Sequence, residues 1–328
     1  MKVHILDDHF DTLRTLPSFR LLDGHDVTVW TDKPATEAEL AERLRNAEAL
    51  VLIRERTAIT ESLIARLPDL RLVSQRGGYP HVDVAALTRR GVVLCSRMAK
   101  DAPSVAAAEL TFTLFLAAAR QLPEQIASTR AGHWQAGVGR SLKGRTVGLL
   151  GYGGIARQVA AYARAFGMTV VFWASEEGRA RAAADGASVA VTRAAFFAEP
   201  DFVSLHQRLT PATRGTVTAA DLAAMRPDAV LVNTARAGLI EAGALRAALD
   251  AGRPGRAALD VFDAEPVTDP EDPIVSHPRV IATPHIGFVT EDEFDLQFTD
   301  IYEQIDAFAG GAPINVINPE ALPEASAR

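Results

Sequence analysis

Short aliphatic and β-branched runs alternate with segments of helical period along most of this chain. Val3–Leu6, Val27–Trp30, Leu50–Ile53 and Leu72–Ser74 have the length and apolar character of buried strands. Between them, Thr36–Arg45 and Thr60–Leu67 carry apolar residues at helical spacing. Thr60 stands where an N-cap belongs, and Ile64 and Leu67 share a face. Residues 101–133 break the rhythm: Pro103 and Ser104 open a long Ala/Leu-rich helix that ends near Arg120. A second series starts at Thr146. Strands are expected at Val147–Leu150, Val170–Trp173, Phe202–Leu205, Val230–Asn233, Ala257–Val261 and Val280–Ala282, and helices at Ile155–Phe166, Ala219–Met225 and Glu241–Ala251. Strands alternating with helices predict an α/β protein whose parallel sheets are covered on both faces. Glu265–Pro273 and Gly310-Gly311 read as loops.

Composition narrows the function. A length of 328 residues suits about two domains. The formal net charge of −7 implies no general affinity for nucleic acid, so an anionic ligand must be held by local donors. One cysteine, Cys95, excludes an internal disulfide framework and points to a reducing, cytoplasmic setting. The opening MKVHILDDHF lacks the pattern of a signal peptide. The most apolar stretch, Ser104–Ala119, contains Glu109 and is too short for a comfortable membrane span. His4, His9, His25, His133 and His277 show no paired metal-ligand spacing, and neither His81 nor Cys95 has a neighbour that suggests chemistry, so no metal is expected.

The sharpest local motif is Gly151-Tyr152-Gly153-Gly154-Ile155-Ala156, between an apolar strand and a helix. In that context Gly151 permits the tight turn, Gly153 lets the backbone approach a pyrophosphate, and the helix N-terminus offers free N–H groups. Ala156 takes the third glycine position and is small enough for close helix–strand packing. The expected cofactor is NAD or NADP. An acid that holds the ribose 2′-hydroxyl is expected about 20 residues on, at the next strand end. That strand ends instead in Ala174-Ser175-Glu176-Glu177. Glu176 or Glu177 could reach the ribose, Ser175, Arg179 and Arg181 could receive a 2′-phosphate, or all could be solvated loop charges.

Three later segments put polar residues where strand ends converge: Asn233-Thr234-Ala235-Arg236, Asp260-Val261-Phe262-Asp263-Ala264-Glu265-Pro266 and Thr283-Pro284-His285. In open parallel sheets, ligands bind beyond the carboxyl ends of the strands.

With these motifs in this order, the chain resembles the D-isomer-specific 2-hydroxyacid dehydrogenases, from Arg54–Thr57 to Ile314–Val316. Phosphoglycerate dehydrogenases and hydroxypyruvate or glyoxylate reductases are members. The resemblance implies two Rossmann-like, doubly wound domains with the active site in the cleft between them. The substrate domain would be residues 1–101 plus 288–328, and the cofactor domain 102–287. It makes Arg236, Glu265 and His285 the catalytic set. His285 would give and take the proton of the carbonyl oxygen, Glu265 would orient the imidazole, and Arg236 would hold the substrate carboxylate and carbonyl oxygen. Asp260 would meet the nicotinamide carboxamide. His206, Thr234, Ala235, Ala174 and Ser175 would line the cofactor with Gly151, Tyr152, Gly153, Gly154 and Ile155. The family's carboxylate-binding glycine loop falls on Arg76-Gly77-Gly78, where Arg76 replaces the usual first glycine; Arg76 could contact a longer acid or face solvent. Arg54 aligns with the arginine that phosphoglycerate dehydrogenases place near the substrate phosphate, or is a buried structural arginine. Trp134 is expected to pack at the domain hinge. A homodimer is implied, with the helix near Ser104–Arg120 and its flanking arm at the interface. Glu265 argues against the formate dehydrogenases, which pair the histidine with glutamine. A phosphite-oxidising enzyme or a catalytically weak NAD(H)-sensing corepressor are the rival readings.

Overall fold

A computed structural model describes residues 1–98 and 105–322. The expected start of the long helix at Pro103 and Ser104, and the expected boundary near residue 101, fall outside them. In chain order the regular elements are β1 (Lys2–Ile5), β2 (Asp26–Val29), α1 (Glu37–Arg43), β3 (Ala49–Val51), α2 (Glu61–Ala65), β4 (Leu72–Arg76), α3 (Val84–Arg89), β5 (Val93–Arg97), α4 (Val105–Arg120) and α5 (Leu122–Arg130). They continue with β6 (Thr146–Leu150), α6 (Gly154–Ala165), β7 (Thr169–Trp173), α7 (Glu176–Ala184), α8 (Arg193–Ala198), β8 (Phe202–Leu205), α9 (Ala219–Ala224), β9 (Val230–Asn233), α10 (Ala244–Asp250), β10 (Arg256–Leu259), β11 (Val280–Ala282) and α11 (Glu291–Ala309). The chain divides into two compact units, Met1–Ala102 with Thr290–Arg328, and Pro103–Val289.

The first unit is a five-stranded parallel sheet of order β2-β1-β3-β4-β5. The order reverses between β1 and β3, the doubly wound arrangement. One face buries Leu40, Leu50, Leu63, Val73, Leu87 and Leu94. Thr36 and Thr60 cap α1 and α2 by accepting the Glu39 and Leu63 N–H groups, contacts worth about 1 kcal/mol each. Helix α11 buries Phe294, Phe298, Ile301, Tyr302 and Ile305, one stripe at helical spacing. The segment beyond it closes the β5 edge, where Ser96 N–H bonds Asn315 O and Ile317 N–H bonds Leu94 O.

The second unit is a six-stranded parallel sheet of order β11-β10-β9-β8-β6-β7. Beyond β7, Val189 adds a single parallel bridge to Phe172, a next strand reduced to one pair. Helix α4 buries Phe112, Leu114, Phe115 and Ala118 on one side of this sheet, and α8, α9 and α10 pack on the other around Phe196, Phe197, Leu222 and Leu249. Among the described residues no single helix is long and apolar enough to cross a membrane; α4 and α5 pass that test only together, bent by 62°.

Several elements differ from the sequence expectation. Strand β5 and helices α3, α5 and α11 were not anticipated. The charged stretch after Trp173, for which solvated loop charges were one reading, is helix α7, because Ser175 caps it by accepting the Gly178 N–H. Helix α10 starts three residues late, because Gly243 sits at φ +74° and breaks the helical path. Trp134 does not pack at a hinge: it is 80% exposed.

Candidate active site

The nucleotide loop of the second unit leaves β6 at its carboxyl end, beside β8, where the strand order reverses. Gly151 has φ +116°, and a Cβ there would lie 2.7 Å from His206 O, so only glycine fits. A Cβ on Gly153 would meet nothing within 4 Å, and Gly153 caps α6 without any side-chain bond. The first turn of α6 therefore presents backbone N–H groups to an open cradle, which suits a pyrophosphate. Ala156 is fully buried against the sheet. His206 Nε2 lies 2.9 Å from Ser204 Oγ, and burial pulls its pKa down to about 4, so the ring is neutral near pH 7.

At the end of β7, Ala174 is buried where an acid would hold the ribose. Arg179 reaches back from α7: its Nη1 donates to Ala174 O at 2.8 Å, and its guanidinium lies 4.3 Å from the Trp173 ring centre. Ser175 spends its hydroxyl on the α7 cap.

The ends of β9, β10 and β11 lie side by side. Asn233 is buried, donates from Nδ2 to Arg236 O at 2.9 Å and accepts the Ala235 N–H at 3.0 Å. The Thr234–Arg236 turn is wrapped around that one amide, while Thr234 Oγ1 bonds Thr111 Oγ1 at 2.7 Å. Asp260 is fully buried and accepts from Thr283 Oγ1 at 2.6 Å, Ile286 N–H at 2.9 Å and Gly287 N–H at 2.8 Å. Both of its oxygens, expected at the nicotinamide, thus also bracket the loop that carries His285. Burial raises its pKa in spite of these bonds. The bracketed His285 has φ +54°, a conformation that costs about 1–3 kcal/mol and persists only where neighbours enforce it.

His285 Nδ1 meets Glu265 Oε2 at 2.5 Å, and the Phe262 N–H donates to Glu265 Oε1 at 2.8 Å. Burial pushes the Glu265 pKa up, but the bonds from His285 and Phe262 and the charge of Arg236 outweigh it, and the net shift is down. An ionised Glu265 can only accept, so it fixes the proton on Nδ1 and leaves Nε2 for chemistry. The His285 and Glu265 side chains are 25% and 33% exposed, open enough to meet a ligand. Among the described residues no group of three or more His, Cys, Asp or Glu side chains could hold a metal ion.

The first unit carries the other expected site residues. Arg76 neither faces solvent nor has its charge to spare for a longer acid. Its side chain is 11% exposed and paired with Asp300 at 2.7 Å and Glu293 at 3.7 Å, both on α11. Gly77, at φ +92°, and Gly78 follow it. Arg54, itself at φ +56°, places Nη1 3.8 Å from where a Gly77 Cβ would stand, so its guanidinium lies over the loop. Sequence reasoning missed Gln75 and Ser96, whose side chains hold this loop from beneath. The available signal was a polar pair, Ser74-Gln75, at the end of an apolar strand.

A parallel α/β unit with a glycine loop at the strand-order reversal, and Arg, Glu and His side chains at adjacent strand ends, defines a dinucleotide-dependent dehydrogenase fold. Residues 112–287 match the NAD binding domain of the D-isomer specific 2-hydroxyacid dehydrogenases. The chain belongs to that family. It is 36% identical over 293 residues to a D-3-phosphoglycerate dehydrogenase from Methanocaldococcus jannaschii, covering 88% of this chain and 55% of that protein. It is 31% identical to a glyoxylate reductase from Thermococcus litoralis, covering 91% and 92%. A crystal structure of a phosphoglycerate oxidoreductase from Vibrio cholerae superposes with a TM-score of 0.90 at 45% identity, covering 95% of this chain and 100% of that one. The chain spans about half the length of the phosphoglycerate dehydrogenases that it matches.

Proposed function

We propose that this protein is an NAD(P)-dependent D-2-hydroxyacid dehydrogenase that interconverts a 2-hydroxy acid and its 2-keto acid. The observation that carries this is the 2.5 Å His285–Glu265 pair, held at the strand ends of the unit that bears the nucleotide loop. The Gly151–Ile155 loop would hold the dinucleotide, which when bound would supply or accept the hydride. In reduction, His285 Nε2 donates a proton to the carbonyl oxygen; in oxidation it accepts that proton back. Glu265 stabilises the imidazolium that forms on oxidation. Arg236, whose backbone Asn233 sets, holds the substrate carboxylate and polarises the carbonyl.

In the first unit, the Gly77–Gly78 loop takes the carboxylate, and Arg54 takes a distal anionic group where the substrate has one. This favours 3-phosphoglycerate, with glyoxylate and hydroxypyruvate as smaller alternatives; relatives named for both kinds of activity support the choice. We further infer a homodimer. Helix α5 has no buried residue, and Leu122, Ile126, Trp134 and Val138 are 42%, 49%, 80% and 92% exposed, an apolar surface that a second copy would cover. A cytoplasmic setting suits the single buried thiol.

The test is turnover of phosphohydroxypyruvate, hydroxypyruvate, glyoxylate and pyruvate with NADH and NADPH, for wild type and His285→Ala. Phosphohydroxypyruvate is expected to have the highest kcat/KM, and His285→Ala to lose about 10²- to 10⁴-fold in kcat while binding NADH normally. Near-wild-type kcat in His285→Ala would overturn the acid–base assignment. Silence of the wild type with every keto acid, despite tight NADH binding, would favour a sensor.

A further inference from the structure

The Gly77–Gly78 loop is held from below by two uncharged side chains. Ser96 Oγ donates to Gly77 O at 2.7 Å, and Gln75 Nε2 donates to Gly78 O at 3.0 Å. Gln75 and Ser96 are 1% and 3% exposed, so both loop carbonyls are drawn toward the interior of the first unit. A planar trans peptide points its N–H opposite its C=O. The Gly78 and Tyr79 N–H groups therefore point outward, and neither meets an acceptor among the described residues. Two adjacent outward amides form a small anion-binding concavity, and the Arg54 guanidinium lies over the same loop.

The chemistry of position 75 is specific. Its Nε2 lies 3.0 Å from Gly78 O and 3.4 Å from both Gly77 O and Ser96 Oγ, and the two carbonyls can only accept, so the NH₂ end must face them. A carboxylate there would repel both, and a hydrocarbon would hold neither. Gln75 is itself anchored: Gln304 of α11 donates to Gln75 O at 3.0 Å and to Ser74 Oγ at 2.8 Å, and Ser74 Oγ donates to Ile301 O at 2.8 Å. A rigid buried network thus runs from α11 through β4 to the loop.

We propose that Gln75, assisted by Ser96, is a positioning residue for substrate: it turns the loop carbonyls inward so that the Gly78 and Tyr79 amides receive the carboxylate of the 2-keto acid. This rests on the dehydrogenase reading above. Its signature is a binding effect, because the loop does not touch the reacting atoms.

The test compares Gln75→Met, Gln75→Glu and Ser96→Ala with wild type in steady-state kinetics, NADH fluorescence titration and thermal melting. For Gln75→Met, the KM of the working keto acid should rise about tenfold, with kcat within about threefold and the NADH Kd within about twofold. Gln75→Glu should be worse, and Ser96→Ala milder. Hydrogen exchange at Gly77, whose N–H is tied to Arg97 O at 3.1 Å, reads the loop without turnover and should be faster in Gln75→Met. A folded Gln75→Met with wild-type KM overturns the proposal, as does wild-type exchange at Gly77. Equal losses in kcat and NADH affinity would mark general structural damage and also overturn it. If the wild type reduces no keto acid, the dehydrogenase reading fails, and exchange at Gly77 still decides whether Gln75 holds the loop.

Discussion

Both units end their parallel strands in polar loops, but they use charge in opposite ways. At the β4 end, Arg76 and Asp300 are 11% and 5% exposed and neutralise one another, and the Gly77–Gly78 loop, proposed to take substrate, is shaped by the neutral Gln75 and Ser96. At the β10 and β11 ends, Glu265 and His285 stay 33% and 25% exposed, with the His285 loop bracketed by the buried Asp260 and Glu265 held by the Phe262 N–H. The lesson is that a charged residue in a motif is no guide to its task until its partner is known. A charge buried against its complement is structural, whereas one left half-open on a rigid loop is available for chemistry.

The sharpest way to break this contrast is Arg76→Met. Removing one member of a buried pair should cost about 3 kcal/mol of stability in urea unfolding, moderated because Arg97 also pairs with Asp300, with little change in keto-acid KM. A large KM increase at unchanged stability would make Arg76 a substrate ligand after all. Acid provides the next test. Because the folded His206 pKa is about 4 and a free imidazole titrates near 6.5, the folded state favours the neutral ring. Its contribution is complete above pH 6.5 and is lost as pH falls from 6.5 to about 4, at most about 3 kcal/mol. Urea midpoints at pH 7.5 and 4.5 should diverge less in His206→Gln than in wild type; equal divergence would contradict the neutral ring. The smallest expected effect concerns cofactor choice. With Ala174 at the strand end and Arg179 fixed above Trp173, Arg179→Ala should weaken NADPH binding about tenfold and NADH binding about twofold. Equal weakening of both would assign Arg179 to packing rather than to a 2′-phosphate.

Much of the second unit was legible beforehand because its signals are local. Strands β8, β9 and β11 lie where their apolar runs predict, and the glycine loop sits between strand and helix. The three polar segments named from the sequence lie at neighbouring strand ends of the second unit, since parallel topology places successive strand ends on one edge. Helix α11 was not named from the sequence, although Phe294, Phe298, Ile301 and Ile305 form a helical stripe. Helix α7 was overlooked because its cap, Ser175, had been weighed as a cofactor contact.

What the sequence determined by itself is therefore what neighbouring residues decide: Thr36 and Thr60 as helix starts, Gly151 as a tight turn, and the buried strands. Only the tertiary structure decided where side chains spend their bonds. Arg76 finds Asp300, and Gln75 rests on Gln304, each more than 200 positions along the chain. Composition and period carry no record of such pairings, because hydrogen bonds and ion pairs depend on distance in space, and folding sets that distance after the local pattern has been written.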